Sequence, residues 1–304
     1  MSEHVYLIVG GTTKAGTTSL FIYLQAHPQV CASNVKETRF FLDPGYPLPA
    51  KYRLQDGFEW YEAYYNHCQA GRLRVEATPD YLYSPGTALR IRESLSDVKL
   101  VFILRDPVER LVSWYRFARQ NNLLSAEIDF DRYVRLQLQG NGEVVPVPQH
   151  LRALEQGRYS NYLEAYFGLF PHDALCILRQ ADLRRDPAAV MTDLCAWIGL
   201  DSSFYADYDF RVFNPTQAMK SARLNAAYRS LREALRLRVH DKPRLHRLLR
   251  ILRRRFEPVL LRLNRGAGQQ VQLPATTRSL LDDYYGEEPA ALADLLGHEA
   301  FSWQ

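Results

Sequence analysis

The stretch from Val9 to Pro28, VGGTTKAGTTSLFIYLQAHP, contains a candidate phosphate-binding loop. Gly11 and Gly16 have G-x-x-x-x-G spacing, and the backbone N–H groups of such a turn bind phosphate together with the positive end of the following helix. A nucleoside-triphosphatase has a lysine directly after the second glycine and a hydroxyl residue that holds magnesium. Thr17 occupies the lysine position here and the lysine is Lys14, so the loop predicts a donor other than magnesium–ATP.

A second candidate phosphate ligand lies at the end of the apolar run VKLVFILRDP. Arg105 ends this predicted strand, and ligands of open α/β sheets bind beyond the carboxyl ends of the strands. Its guanidinium fork suits a phosphate dianion, and Ser113 follows eight residues later in the next predicted helix. The alternative is a strand-end ion pair between Arg105 and Asp106, with Asp-Pro as turn chemistry. The presence of Ser113 favours phosphate binding.

The elements that would position these residues alternate between strands and helices. Short apolar runs typical of buried strands are HVYLIVGG, RLRVEAT, VKLVFILR and DALCILR. Helical spacing recurs in TTSLFIYLQAHP, VERLVSWYRFARQN, GRYSNYLEAYFGLFP and DPAAVMTDLCAWIGL, the last with Asp186 as N-cap, Pro187 in the first turn and Gly199 at the end. This order predicts an α/β fold with a central parallel sheet flanked by helices. FEWYEAYYNHC predicts an amphipathic helix over the core, or else the lining of a sugar-binding cleft.

The composition is that of a globular protein, with 47% hydrophobic and 24% charged residues among 304. No apolar run approaches the ~18 residues of a membrane-spanning helix, and the N-terminus lacks a signal-peptide pattern. The cysteines at 31, 68, 176 and 195 are scattered and form no C-x-x-C pair. We therefore expect neither a disulfide framework nor a zinc site, and a cytoplasmic location.

The net charge of +4 conceals a basic segment between Arg223 and Arg265, with fourteen Arg or Lys residues against three acids. Apolar residues recur there at helical spacing opposite the arginines, which a surface helix with a solvated charged face explains. The segment also suits a rim for an acidic or lipid-linked acceptor, or a peripheral membrane contact through residues 244–265. Nucleic-acid binding is not expected because no recognition motif accompanies the charge.

Four blocks in order resemble the sulfotransferase family that uses 3′-phosphoadenosine 5′-phosphosulfate (PAPS): TTKAGTTSLFIYLQAHP, VKETRFF, VEATPDYLYSP and LVFILRDPVERLVSWY. Their spacing is more similar to the heparan-sulfate-type branch and its bacterial relatives than to the small-molecule cytosolic branch. The resemblance extends roughly from Val5 to Asp201, with a weaker match in LLGHEAFSW. It implies a P-loop-like parallel sheet, PAPS as sulfate donor, 3′-phosphoadenosine 5′-phosphate (PAP) as product, and no metal.

The resemblance also implies roles for individual residues. Lys14 is expected to contact the phosphosulfate and stabilise the leaving group, while Arg105 and Ser113 bind the 3′-phosphate. The turn at Gly157 is expected to bring Arg158 and Tyr159 near the donor. The residues expected to wrap the 5′-phosphate are Ala15, Gly16, Thr17, Thr18 and Ser19.

Glu37, in KETRFF, matches the catalytic base of the family, although taken alone it would be a solvated loop acid. A carboxylate within hydrogen-bond reach of an acceptor hydroxyl or amine takes its proton as the new bond to sulfur forms. In several heparan-sulfate-type enzymes a lysine follows the glutamate of the VEATPDYLYSP block, but here that residue is Ala77. Lys36 and Arg39 are candidates for the second cation. Candidates for acceptor contacts are Lys36, Arg39, Asp80 and Tyr81.

The sequence thus predicts a single sulfotransferase domain with a PAPS-binding core at 1–222, a basic helical insertion at 223–270 and a C-terminal helical return at 271–304. The expected acceptor is a hydroxyl or amine of a carbohydrate or glycolipid, with a small-molecule natural product as the alternative. The rival classes are a P-loop kinase using ATP and magnesium and a non-catalytic nucleotide-binding relative. Loops 43–57 and 139–149 are expected to determine acceptor choice.

Overall fold

The computed structural model describes residues 4–121, 123–125, 127–139, 152–211 and 271–303. Its centre is a five-stranded sheet with the order β2-β3-β1-β4-β5, in which every neighbouring pair is parallel. The strands are β1 Tyr6–Gly11, β2 Val30–Ala32, β3 Leu73–Ala77, β4 Val98–Leu104 and β5 Leu175–Arg179. The parallel sheet flanked by helices confirms the predicted fold class, and four strands lie where the apolar runs predicted them.

Helices connect the strands and cover both faces of the sheet. The α-helices that the structure describes are α1 Thr17–Ala26, α2 Glu59–Glu62, α3 Thr87–Ser94, α4 Pro107–Gln120, α5 Phe130–Gln139, α6 Tyr159–Leu169, α7 Gln180–Arg185, α8 Pro187–Ile198, α9 Ala275–Tyr285 and α10 Glu288–Leu296. Short 3₁₀ turns lie at Leu54–Asp56, Ala63–Tyr65, Pro79–Tyr83, Glu155–Gly157, His172–Ala174 and Ser202–Tyr205.

The two faces of the sheet form separate cores, because alternate side chains of a strand point to opposite faces. Tyr6 and Ile8 of β1 join an aromatic-rich cluster on one face, whereas Leu7 and Val9 join a cluster with α1 and α8 on the other. All residues of β1 are buried, as expected for a parallel strand covered on both sides. This burial fixes β1 and therefore positions the loop that follows its C-terminal end.

The helix ends predicted from the sequence are confirmed at α8. The Asp186 carboxylate accepts a hydrogen bond from a first-turn backbone N–H at 3.0 Å, and Pro187 begins the helix. Gly199 ends it in the left-handed conformation, with φ of 79°. Asp106 caps α4 in the same way, at 2.8 Å from the N–H of Glu109.

The C-terminal helices α9 and α10 pack on the α/β core. The Tyr285 hydroxyl donates to the Leu154 carbonyl at 2.6 Å. The buried Glu288 carboxylate accepts from the backbone N–H and the hydroxyl of Ser160 at 2.8 and 2.9 Å, which satisfies the first turn of α6. The basic segment 223–265, including the predicted membrane contact at 244–265, lies outside the described residues, so the partition at 222 and 270 stays a prediction. No helix within the described ranges is both long and apolar enough to cross a membrane.

Cys31 and Cys68 form a disulfide with their Cα atoms 5.7 Å apart, so the expectation that no cysteines pair was wrong. The two residues are separated by 37 positions. They meet because β2 pairs with β3 and Cys68 lies just before β3 begins, a proximity that sequence spacing does not show. The disulfide removes the cysteine-based argument for a reducing cytoplasm. Cys176 and Cys195 are free thiols.

The aromatic segment Phe58–Cys68 covers the core, but it is not one continuous helix. The α-helix α2 spans only four residues and continues as the 3₁₀ turn Ala63–Tyr65. Tyr61, Tyr64 and Tyr65 are buried in the aromatic-rich cluster. The strand β2, only three residues long, was not predicted.

Candidate active site

The predicted phosphate loop joins β1 to α1 at the carboxyl edge of the sheet. Gly16 precedes α1 with φ of 97°, a left-handed conformation that favours glycine. Because Gly16 has no side chain, it supplies no cap to the first turn of α1, which Thr17, Thr18 and Ser19 form. The first-turn N–H groups of a helix have no intrahelical acceptor and attract an anion.

Arg105 contacts this loop at the backbone of Lys14. The Arg105 side chain, 21% exposed, donates from Nη1 to the Lys14 carbonyl at 3.3 Å. Its Nε and Nη2 atoms donate to Glu109 at 3.1 and 3.0 Å, so the ion-pair partner of Arg105 is Glu109 and not Asp106. The Lys14 ammonium lies 4.7 Å from the centre of the Phe117 ring, a cation–π distance.

The other residues predicted to bind PAPS, namely Ser113, Tyr159 and Arg158, differ in their exposure and in their partners. Ser113 is buried on α4, two turns after the start of that helix. Tyr159 is completely buried and its hydroxyl donates to the Arg105 carbonyl at 2.8 Å, so it supports the arginine backbone. Arg158 is exposed and donates to the Tyr284 carbonyl at 3.1 Å while its guanidinium lies 4.2 Å from the centre of the Tyr284 ring.

Glu37 lies beside the C-terminal end of β3. Its backbone N–H donates to the Ala77 carbonyl at 2.9 Å, and its carboxylate accepts from Lys36 Nζ at 3.0 Å and from Arg39 Nη2 at 3.1 Å. Burial acts to raise the pKa of Glu37, but the two cations outweigh it and lower the pKa to about 2. The group is therefore an ionised carboxylate held between two positive charges.

Backbone strain coincides with the predicted site. The described non-glycine residues with positive φ are Lys14 at 69°, Glu37 at 62° and Arg39 at 60°. Such conformations cost about 1–2 kcal/mol each for residues with a Cβ and persist only where the surroundings enforce them. All three were predicted from the sequence as site residues.

A buried carboxylate that the sequence analysis did not single out anchors the Glu37 segment. Glu76 on β3 is fully buried and accepts hydrogen bonds from Thr38 at 2.5 Å, Tyr81 at 3.0 Å, and Tyr61 and Thr78 at 3.1 Å. Burial raises the pKa of Glu76, partly opposed by these hydrogen bonds. Because donors from three segments converge here, Glu76 fixes Thr38, the residue between Glu37 and Arg39.

Two predicted acceptor contacts lie deeper than expected. Tyr81 is completely buried with its hydroxyl bonded to Glu76, so it supports the site from below and does not face an acceptor. Asp80 is 5% exposed and accepts from the Tyr46 hydroxyl at 3.1 Å. Arg39, in contrast, is half-buried at the surface and also donates to the Pro49 carbonyl at 2.9 Å, which ties the predicted acceptor loop 43–57 to the site.

Arg110 supplies a further positive charge behind the loop. It is completely buried and donates to the Ala153 carbonyl, while its Nε and Nη1 atoms have no hydrogen-bond partner within the described part of the chain. Burial acts to lower its pKa, but the oxygens of Tyr83 and Tyr159 outweigh it, so the pKa is raised and the guanidinium stays charged. Its place in RDPVER, three residues before Ser113, was the available sequence signal.

The fold and this site define an α/β protein with a glycine-containing loop after β1 and, at the end of the neighbouring strand β3, a carboxylate held between two cations. Residues 5–233 match the family described as sulfotransferase domain. The chain therefore belongs to the sulfotransferase family, which confirms the resemblance found in the sequence.

Curated relatives match smaller parts of the chain. The membrane-associated sulfotransferase kil1 of Dictyostelium discoideum is 40% identical over 116 residues, 37% of this chain and 23% of that protein. The human bifunctional heparan sulfate N-deacetylase/N-sulfotransferase 3 is 27% identical over 210 residues, 64% of this chain and 22% of that protein. Mouse heparan sulfate glucosamine 3-O-sulfotransferase 3B1 is 28% identical over 203 residues, 65% of this chain and 48% of that protein. The chain thus spans less than half the length of these relatives.

A solved structure shares the fold over nearly the whole chain. The sulfotransferase from Alicyclobacillus acidocaldarius has a TM-score of 0.66 and 18% sequence identity, with 98% of both chains covered.

Proposed function

We propose that this protein transfers a sulfuryl group from PAPS to a hydroxyl or amine of a carbohydrate or glycolipid, with Glu37 as general base. The observation that carries the proposal is the hydrogen bond that holds the Arg105 guanidinium on the backbone of Lys14, in the loop before α1. PAPS supplies an activated sulfuryl group on a phosphate leaving group.

Three features of the chain fit the donor. The left-handed Gly16 leaves the first turn of α1 uncapped for the 5′-phosphate. The Thr13 hydroxyl in the same loop is buried and is an additional polar group for that site. Arg105 binds the 3′-phosphate with Ser113 by exchanging its exposed Glu109 partner for a phosphate dianion, which matches the guanidinium fork better.

Glu37 is suited to bind and orient the acceptor before it accepts a proton. With a pKa of about 2 it stays ionised at neutral pH, so it is ready to accept a hydrogen bond from a hydroxyl. A base this weak takes the proton only once the acceptor oxygen has become acidic, when its bond to sulfur is well advanced. Positioning and charge stabilisation by Lys14 and the loop therefore supply most of the acceleration.

Lys36 and Arg39 replace the second cation that Ala77 does not provide. Each lies about 3 Å from a Glu37 oxygen, at 3.0 and 3.1 Å, so both reach the region where an acceptor hydroxyl would lie. The heparan sulfate relatives, which match about two thirds of the chain, support a carbohydrate acceptor for the same region. Against the kinase alternative, Thr17 stands in the first turn of α1 where a kinase has its lysine.

The test is sulfate transfer from radiolabelled PAPS to heparosan oligosaccharides and to lipid and small-molecule extracts. We expect label in a carbohydrate or glycolipid fraction, and a loss of about 10²–10⁴-fold in kcat for Glu37→Gln with PAP affinity unchanged by calorimetry. Glu93→Gln, an exposed change on α3, is the matched control and should keep full activity.

Each alternative has its own outcome in this experiment. Label confined to a small metabolite would replace the carbohydrate acceptor by a natural product. Full activity of Glu37→Gln would exclude it as the base. Thermal stabilisation by ATP with magnesium but not by metal-free PAP would contradict the donor and favour a kinase, and PAP binding without any transfer would leave a non-catalytic relative.

A further inference from the structure

The disulfide lies next to a histidine on the edge of the sheet, outside the site described above. Cys31 belongs to the edge strand β2, and Cys68 lies in the turn that leads into β3. His67 Nε2 is 3.6 Å from Cys31 Sγ. The two sulfurs and a nitrogen of His67 all lie within 4.8 Å of one another.

These three side chains lie at the wall of an open cleft. They line a cleft of about 250 Å³ whose other walls include Gln25, Gln69 and Arg72. Cys31 is buried, Cys68 half-buried and His67 exposed, so the cluster has one protected side and one open side. An ion therefore has a route to the three ligands without any movement of the sheet.

We propose that, once the disulfide is reduced, Cys31, Cys68 and His67 bind one Zn²⁺, with the fourth position open to the cleft. Two thiolates and an imidazole are a zinc ligand set, and a three-ligand site keeps an exchangeable fourth position. Zinc–sulfur and zinc–nitrogen bonds at a tetrahedral angle place the two ligand atoms about 3.6 Å apart. The distance from Cys31 Sγ to His67 Nε2 already has this value, at 3.6 Å.

The reaction needs a reductant and releases protons. A thiol reductant is oxidised to its own disulfide, and its two electrons and two protons convert the Cys31–Cys68 bond to two thiols. Zn²⁺ then displaces both thiol protons to solvent, because the thiolate is the metal ligand. The same two sulfurs cannot be in a disulfide and on zinc at once, so the two states exclude each other.

The consequence is a cross-link that survives in a reducing compartment. In the oxidised protein the disulfide ties β2 to the chain entering β3, and in the reduced protein zinc would make the same connection. The segment closed by either link, residues 31–68, contains Glu37, Arg39 and the buried Tyr61. The site is thus a tether for the Glu37 segment, and it does not take part in the chemistry proposed above.

The test uses the full chain, reduced with a phosphine, stripped of metal under anaerobic conditions and titrated with Co²⁺ and then Zn²⁺. We expect one equivalent of Co²⁺ with a near-ultraviolet thiolate charge-transfer band that Zn²⁺ displaces. The oxidised protein should show neither band nor binding. Zinc affinity, measured against a chromophoric chelator, should fall at least ~10-fold in His67→Ala and more in Cys68→Ser.

Matched controls separate ligand loss from damage to the fold. His67 is exposed, so His67→Ala should keep the melting temperature of the oxidised protein. Exposed His172→Ala and free-thiol Cys176→Ser should bind zinc as the wild type does. Equal zinc affinity of reduced wild type and the Cys31→Ser/Cys68→Ser double variant would overturn the proposal, as would undiminished binding by His67→Ala or by the oxidised protein.

Discussion

At the scale of single residues, the charge on Glu37 is fixed by its immediate neighbours in the chain. Lys36, one position before Glu37, contacts one oxygen of its carboxylate at 3.0 Å. Arg39, two positions after Glu37, contacts the other oxygen at 3.1 Å. The left-handed backbone at Glu37 and Arg39 turns these side chains together. Without both cations, burial would raise the pKa of Glu37.

Replacing Arg39 by Gln should therefore raise the pKa of Glu37 from about 2, because one of the two opposing charges is lost. With Glu37 as the proposed base, its protonation in the wild type is expected to limit activity only near pH 2, and the ion pairs stabilise the fold above the ordinary glutamate pKa of 4.5. This stabilisation is lost as the pH falls through the lowered pKa. We expect the acid limb of kcat/KM, followed from pH 3 to pH 8, to move to higher pH in Arg39→Gln and to stay near the wild-type position in Arg39→Lys.

An identical acid limb in Arg39→Gln and wild type would show that Arg39 does not set this pKa. The residues of this prediction were all available from the sequence because they lie within four positions of one another in the chain. The hydrogen-bond network around the Glu76 carboxylate could not be predicted from the sequence. Its donors Thr38, Tyr61 and Tyr81 come from segments far apart in the chain and meet only after the sheet has formed.

At the scale of elements, the strand–loop–helix unit of β1 and α1 is the feature that the sequence predicts best. A fully buried strand, a glycine and a helix start are local properties that leave local patterns. The three-residue β2 leaves no such pattern, because its pairing with β3 is the reason that it is a strand. The aromatic segment at α2 has apolar residues at helical spacing, but its α-helix ends after one turn and continues as a 3₁₀ turn.

Gly16→Ala should weaken both the fold and PAP binding. A Cβ at Gly16 would meet no atom closer than 3.8 Å, so the cost arises from its φ of 97° and not from a clash. We expect a loss of about 1–2 kcal/mol in the free energy of unfolding, since non-glycine residues disfavour left-handed backbone. Relaxation of φ would also move the first-turn N–H groups, so PAP affinity by calorimetry should fall about tenfold or more.

Gly199→Ala is the matched control for this change. Gly199 has φ of 79°, and a Cβ there would meet nothing within 4 Å. The Gly199→Ala variant should therefore lose a similar free energy of unfolding in urea. Its PAP affinity should stay at the wild-type value, because Gly199 lies at the end of α8 and not in the loop before α1. A Gly16→Ala protein that binds PAP as tightly as Gly199→Ala does would disprove the role of this backbone in phosphate binding.

At the scale of the whole molecule, long-range links hold the Glu37 segment and the C-terminal helices to the sheet. The disulfide joins residues 37 positions apart, and Tyr285 and Glu288 join the C-terminal helices to Leu154 and Ser160. None of these pairs can be predicted from a local sequence pattern, because each forms only when the folded chain brings distant segments together. The strands and helices that define the fold class leave local patterns and were therefore predictable. The contacts that link these elements leave none and were not predicted.

Reduction of the disulfide in metal-free protein should lower the free energy of unfolding by roughly 4 kcal/mol, the loop-closure value for this separation. The denatured chain gains the entropy of a segment that the bond had closed, while the sheet itself keeps its contacts. We would measure urea unfolding with a chelator present, with and without a phosphine reductant. Cys176→Ser should respond to the reductant as the wild type does, since Cys176 is a free thiol. Equal stability of the oxidised and reduced forms would mean that β2 pairing alone holds the segment carrying Glu37.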